Sequence, residues 1–134
     1  MALKKLYVTD THALVWYILD TLPEAVDKVF KSAEKGESTI FIPTIVVAEC
    51  FYLMEKGKIN FNFDDVLKRI EMSKNFISTS FDFHVVTLLP EIKVGELHDR
   101  IIVVTAKILN ARSITKDKKR SGAISLRLLS KQTN

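Results

Sequence analysis

The stretch Leu6–Leu19, LYVTDTHALVWYIL, decides how the chain is read. Lys5–Thr9 has the makings of a short buried strand, and Thr11–Leu19 is apolar almost all round, as suits a helix packed against a sheet. Asp10 stands between them, at the carboxyl end of the strand, where open α/β sheets bind ligands. Outward from this unit the same alternation continues. Pro23 opens a second helix in which Val26, Val29, Phe30 and Ala33 fall at i, i+3, i+4 and i+7, with Glu24, Asp27, Lys28 and Lys31 turned away and Gly36 as the stop. Thr39–Ile42 reads as a second strand, Pro43 stands where a first helical turn tolerates it, and Ile45–Lys56 forms a helix closed by Gly57. Phe63–Met72 shows a weaker helical pattern through Val66, Leu67 and Ile70, and Phe76–Thr79 is a candidate third strand. Leu97–Leu109 predicts a largely buried helix on Leu97, Ile101, Val104, Ala106 and Ile108. Ser113–Thr115 reads as a fourth strand and Ala123–Leu128 as a short fifth. Strands separated by helices predict one α/β domain over residues 1–134, a mainly parallel sheet with helices on both faces.

Composition agrees with one domain. At 134 residues, 47% of them apolar, the chain can bury a core without staples, and four Gly and three Pro argue against a fibrous or disordered class. A solitary Cys50 excludes an internal disulfide framework and fits a reducing cytoplasm. The longest apolar runs, Ala13–Leu19 and Ile101–Val104, fall short of the roughly 20 residues that span a bilayer, and the opening MALKKLYVTD has no signal-peptide pattern. The expectation is a soluble cytoplasmic protein that engages no membrane.

The net charge of +4 conceals an asymmetry. Residues 107–134 hold eight basic residues and one acid, a net +7, whereas the first 106 hold twelve basic and fifteen acidic, a net −3. A basic end on an acidic domain suggests an anionic partner, nucleic acid first, with a merely solvated tail as the alternative.

Several acids occupy positions where solubility does not explain them. Asp10 is either a ligand-binding carboxylate or the N-cap of the helix that follows. Glu49 interrupts IVVAECFYLM with Ile45, Val46, Tyr52 and Leu53 around it, so its charge is costly unless a cation, such as a Lys or Arg, meets it. Asp99 opens the buried helix in GELHDRIIVVTA, with Glu96 three residues before it, and either could serve the helix dipole. Asp117, in SITKDKKR, follows the fourth strand and is either a further site acid or a neutraliser of its basic neighbours. Adjacent first and fourth strands would bring Asp10 and Asp117 to one edge, and helices starting there would bring Glu49 and Asp99. Crowded carboxylates repel one another, and hard cations relieve this. An all-oxygen donor set without His or Cys ligands selects Mg²⁺ or Mn²⁺ over zinc, and a pair of such ions about 4 Å apart suits phosphodiester hydrolysis.

Asp10 in VTDTH, Glu49 in IPTIVVAE, Asp99 in HDRIIVVTA and Asp117 in ITKD together resemble the PIN-domain ribonucleases, and more narrowly the VapC-type toxins of prokaryotic toxin–antitoxin pairs. The resemblance covers nearly the whole chain. It implies a three-layer domain with sheet order 3-2-1-4-5, cleavage of RNA dependent on one or two Mg²⁺ or Mn²⁺ ions, dimerisation through the early helices, and a small antitoxin as partner. By position, Asp10, Glu49 and Asp99 match the three core metal-binding acids, Asp117 the more variable fourth, Glu96 an accessory acid, and Thr115 a hydroxyl beside the metal site. Pro43 stands where the family often has a hydroxyl residue, with Thr44 next to it, and His12 where it often has Asn.

The reading is therefore a metal-dependent endoribonuclease in which water attacks phosphorus without a protein nucleophile. Arg100, Lys116, Lys118, Lys119 and Arg120 are candidates to hold flanking phosphates, and His12 is a candidate substrate contact or a structural histidine. The rival reading is a PIN-fold domain that binds RNA or protein without activity. Gly36, Gly57, Gly95 and Gly122 form no phosphate-binding loop or dinucleotide fingerprint, and GxSxG and HExxH motifs are missing. A haloacid-dehalogenase phosphatase wants Asp-x-Asp after strand one, where this chain has His12, and the acids do not follow the response-regulator arrangement. Cys50 lies in an apolar helix without an activating base, so it reads as a core residue. Trp16, Tyr17, Phe51 and Tyr52 are candidates for a homodimer or antitoxin surface.

Overall fold

The computed structural model describes residues 3–93, 95–118 and 124–128, of which 116–118 and 124–128 are described as backbone. The elements follow in the order β1 (Lys5–Thr9), α1 (Thr11–Ile18), α2 (Glu24–Glu34), β2 (Ser38–Pro43), α3 (Thr44–Glu55), α4 (Phe63–Met72), β3 (Phe76–Thr79), α5 (Phe83–Leu88), a 3₁₀ turn (Leu89–Glu91), α6 (Leu97–Leu109), β4 (Arg112–Lys118) and β5 (Ile124–Leu128). The sheet order is β3-β2-β1-β4-β5, with the first four strands parallel and β5 antiparallel to β4. This is the expected order.

Five of the six residues of β2 are buried, so both pleat faces are covered, as a parallel sheet under two helical layers requires. Val26, Val29, Phe30 and Ala33 of α2 all lie in the main core, as their spacing predicts. There the Phe30 ring stacks on Tyr17 at 4.5 Å and meets Phe76 edge-on at 6.1 Å. A smaller cluster joins Val85 of α5 to Ile101 and Val104 of α6. Ile102 and Ala106 of α6 enter the main core instead, so this helix is apolar on two sides. Cys50 is fully buried, and burial pushes its thiol up to about 12, as a packing residue rather than a nucleophile requires.

Two expectations need correction. Leu97 and Ile108 are exposed, at the two ends of α6, and the buried stripe is Ile101, Ile102, Val104, Thr105 and Ala106. Strand four is longer than Ser113–Thr115, because β1 pairs with it over Arg112–Ile114 while β5 pairs over Ile114–Lys118. Asp117 and Lys116 therefore lie within β4, opposite Ser125 and Leu126, rather than after the strand. Periodicity does not reveal α5: FHVVTL is rich in β-favouring residues, but Asp82 caps it by accepting from Val85 N at 3.2 Å and Val85 docks on α6.

Candidate metal-binding site

Asp10, Glu49 and Asp99 are placed by three different elements. Asp10 is 1% exposed and performs the capping role, its Oδ1 accepting from Ala13 N at 2.8 Å. Its own amide donates to Ile114 O at 3.1 Å, continuing the β1–β4 ladder by one residue and setting the buried Thr115 next to it. The cap bond takes one lobe of one oxygen and fixes the carboxylate at the sheet edge.

Asp99 is held by the same kind of contact at the third position of α6, where its Oδ2 accepts from Glu96 N at 3.3 Å in a capping-box arrangement. Gly95 makes that approach possible. Its φ of +96° is left-handed, and a Cβ there would come 3.1 Å from Asp99 Cβ, tighter than ordinary contact. Gly95→Ala is therefore expected to lose about 1 kcal/mol or more. Gly57 has φ +72° and open space around its missing Cβ, so Gly57→Ala carries the backbone cost alone. Urea unfolding of both variants separates the two effects, and equal losses would show that Gly95 does not set Asp99.

Glu49, on α3, meets an imidazole rather than the Lys or Arg that its apolar surroundings suggest. Its Oε1 lies 2.5 Å from His98 Nδ1 and is otherwise buried without a hydrogen-bond partner among the described residues. His98 Nε2 lies 3.3 Å from Thr11 Oγ1. The short contact with Glu49 raises the His98 pKa most; burial opposes this, and the charges of Glu49, Asp10 and Asp99 add to the rise. Three carboxylates from three elements thus favour one positive charge at His98. Sequence reasoning passed over this histidine, although its place between Glu96 and Asp99 in GELHDR put a titratable cation among candidate acids.

The remaining candidates divide. Glu96 is exposed at the N-cap of α6. Arg100 Nε donates to Gly95 O at 3.0 Å, bracing the loop before α6 as well as carrying charge beside the site. His12 is half-buried and edge-on to Trp16, with ring centroids 6.4 Å apart. The side chains of Lys116, Asp117 and Lys118, and all of Lys119 and Arg120, lie outside the described residues.

Among the described residues, no three His, Cys, Asp or Glu side chains already stand as a closed cation cage. The donor chemistry nonetheless fits a hard divalent ion. Asp10, Glu49 and Asp99 offer only oxygen donors, and the charges of all three favour the protonated form of the one imidazole among them.

The PIN-domain family model matches residues 7–121. The chain belongs to the PIN-domain family. Proteins of this family generally use divalent metal ions. The fold of this PIN domain is similar to that in a crystal structure of VapBC2 from Rickettsia felis bound to a promoter DNA fragment. That match has a TM-score of 0.61 and 19% identity, and covers 84% of this chain and 88% of the other. Among curated proteins none matches the chain in sequence.

Proposed function

We propose that this PIN domain is an endoribonuclease dependent on Mg²⁺ or Mn²⁺, and that it is the toxin of a VapC-type toxin–antitoxin pair. The observation that carries the reading is the convergence of Asp10, Glu49 and Asp99, from three separate elements, on His98. Asp10, Glu49 and Asp99 would hold the cation, with Glu96 at the exposed rim and Asp117 contributed from β4. When bound, such an ion supplies a Lewis acid for the phosphoryl oxygen and lowers the pKa of the attacking water. The protein's part is placement. Asp10 and Asp99 are each fixed by a backbone N–H, so their carboxylates enter the site already oriented. Arg100, with Lys116 and Lys118 of the basic C-terminal quarter, would bind the flanking phosphates and make cleavage salt-sensitive. Thr115, buried next to Asp10, would supply a hydroxyl beside the cation.

For partners, a groove of about 490 Å³ between the end of α1 and α4 is lined by Ile18, Phe61, Val66 and Met72 together with Asp65, Lys68 and Arg69. Its mixed apolar and charged lining suits a small antitoxin. The aromatic candidates separate into two groups. Trp16 and Tyr17 pack against the core, whereas Phe51 is 42% and Tyr52 57% exposed on α3, a surface suited to a homodimer. No described helix is long and apolar enough to cross a membrane.

The test is cleavage of single-stranded RNA by the metal-free protein. Activity is expected to be absent in EDTA and restored by Mn²⁺ or Mg²⁺, and to be lost in Asp99→Asn purified identically. Equal cleavage by wild type and Asp99→Asn would assign the activity to a contaminant. Retained RNA binding without cleavage in any metal would favour the inactive binding domain.

A further inference from the structure

His98 is fastened at both ring nitrogens, and its partners are not arbitrary. Nδ1 meets Glu49 Oε1 at 2.5 Å, on α3. Nε2 meets the hydroxyl of Thr11 at 3.3 Å, on α1, and Thr11 is itself 3% exposed and directly follows Asp10. His98 directly precedes Asp99 on α6. One imidazole therefore ties together the three elements that carry the three acids, and on each it touches, or adjoins in sequence, the acid itself. Without the ring, Glu49 Oε1 would be buried with no compensation among the described residues, and the half-exposed side chain would swing toward water.

We propose that His98 is a positioning residue: by holding Glu49 through Nδ1 and Thr11 through Nε2, it sets the spacing of Asp10, Glu49 and Asp99 for a divalent cation. This rests on the metal-dependent reading above. The chemistry is that of an outer-shell partner, which orients a ligand without touching the ion and whose removal typically costs 10–100-fold in affinity. The opposite role for the same contact predicts the opposite result. A histidine that merely neutralised Glu49 would compete with the ion, and its loss would tighten binding.

The experiment measures Mn²⁺ affinity of the metal-free full chain, without RNA, by the electron paramagnetic resonance signal of free Mn²⁺. Thermal midpoints in EDTA confirm that each variant folds. His98→Ala is expected to weaken Mn²⁺ binding about 10–100-fold. His98→Asn, whose amide nitrogen can stand where Nδ1 stands, is expected to recover most of the loss. His98→Gln, which reaches only toward the Nε2 position, should recover less. Thr11→Val approaches the bracket from the other side should His98→Ala fail to fold; it is expected to weaken binding by less than His98→Ala, and to add little in combination with His98→Asn. Unchanged or tighter Mn²⁺ binding in His98→Ala, or an Asn variant no better than Ala, overturns the positioning role while the metal reading stands if Glu49→Gln still loses Mn²⁺. Wild-type protein that binds no Mn²⁺ at millimolar concentration overturns the metal reading, and the positioning role with it.

Discussion

Asp10→Asn is expected to lower Mn²⁺-dependent RNA cleavage by about 10²–10³-fold, the usual effect of removing one preorganised electrostatic element from a transition state that accumulates charge. The substitution separates two functions that the native side chain combines. Asn is as good an N-cap as Asp, so the bond to Ala13 N survives and the fold should hold. What disappears is the charge at the end of β1, and with it one of the carboxylates whose fields meet at His98. Single-turnover cleavage read beside a thermal melt should therefore show a large rate loss with little change in midpoint. Asp10→Ala should show the same rate loss together with a cap cost of about 1 kcal/mol. A wild-type rate in Asp10→Asn would reduce this residue to a cap and remove it from the site.

Phe30→Ala is expected to cost about 3–5 kcal/mol, a large share of the roughly 5–15 kcal/mol that stabilises a typical domain. Phe30 is fully buried, stacked on Tyr17 at an interplanar angle of 23° and edge-on to Phe76 at 76°, while Tyr17 and Phe76 meet at 5.5 Å. One side chain thus joins α1, α2 and β3, and its loss removes buried area and two ring contacts worth about 0.5–1.5 kcal/mol each. Arg69 over the Tyr17 ring, at 4.8 Å, keeps that ring in place but cannot fill the hole. Urea unfolding should show a lower midpoint at unchanged slope. Phe83, 79% exposed, is the control: Phe83→Ala should stay within about 0.5 kcal/mol. Similar losses at both positions would mean that the aromatic cluster is not the centre of the core.

Two of the candidate acids stand out in the sequence on local grounds alone. Glu49 stands among apolar neighbours, and Asp10 ends a strand, so each is conspicuous before any contact is known. What meets Glu49 was not legible. His98 is 49 residues away, and a pair that distant leaves no mark on local periodicity. Nor could the sequence show that Asp99 gives one oxygen to Glu96 N, because a capping bond depends on the chain entering α6 at the angle that Gly95 permits.

For the fold, sequence alone determined the alternation of strands and helices, the inward face of α2, the ends of α4 and the places where α2 and α3 stop. Those follow from side-chain spacing, glycine and proline, which act over a few residues. Tertiary structure alone decided three other things. Strand β4 runs on to Lys118 because β5 pairs with it beyond the reach of β1. FHVVTL became the helix α5 because Val85 found Ile101 and Val104, overriding a strand propensity. The partner of Glu49 is an imidazole because α1, α3 and α6 converge where the parallel strands end. Each of these turns on a partner remote in sequence, and it is the energy of that contact, not the preference of the segment, that selects the state.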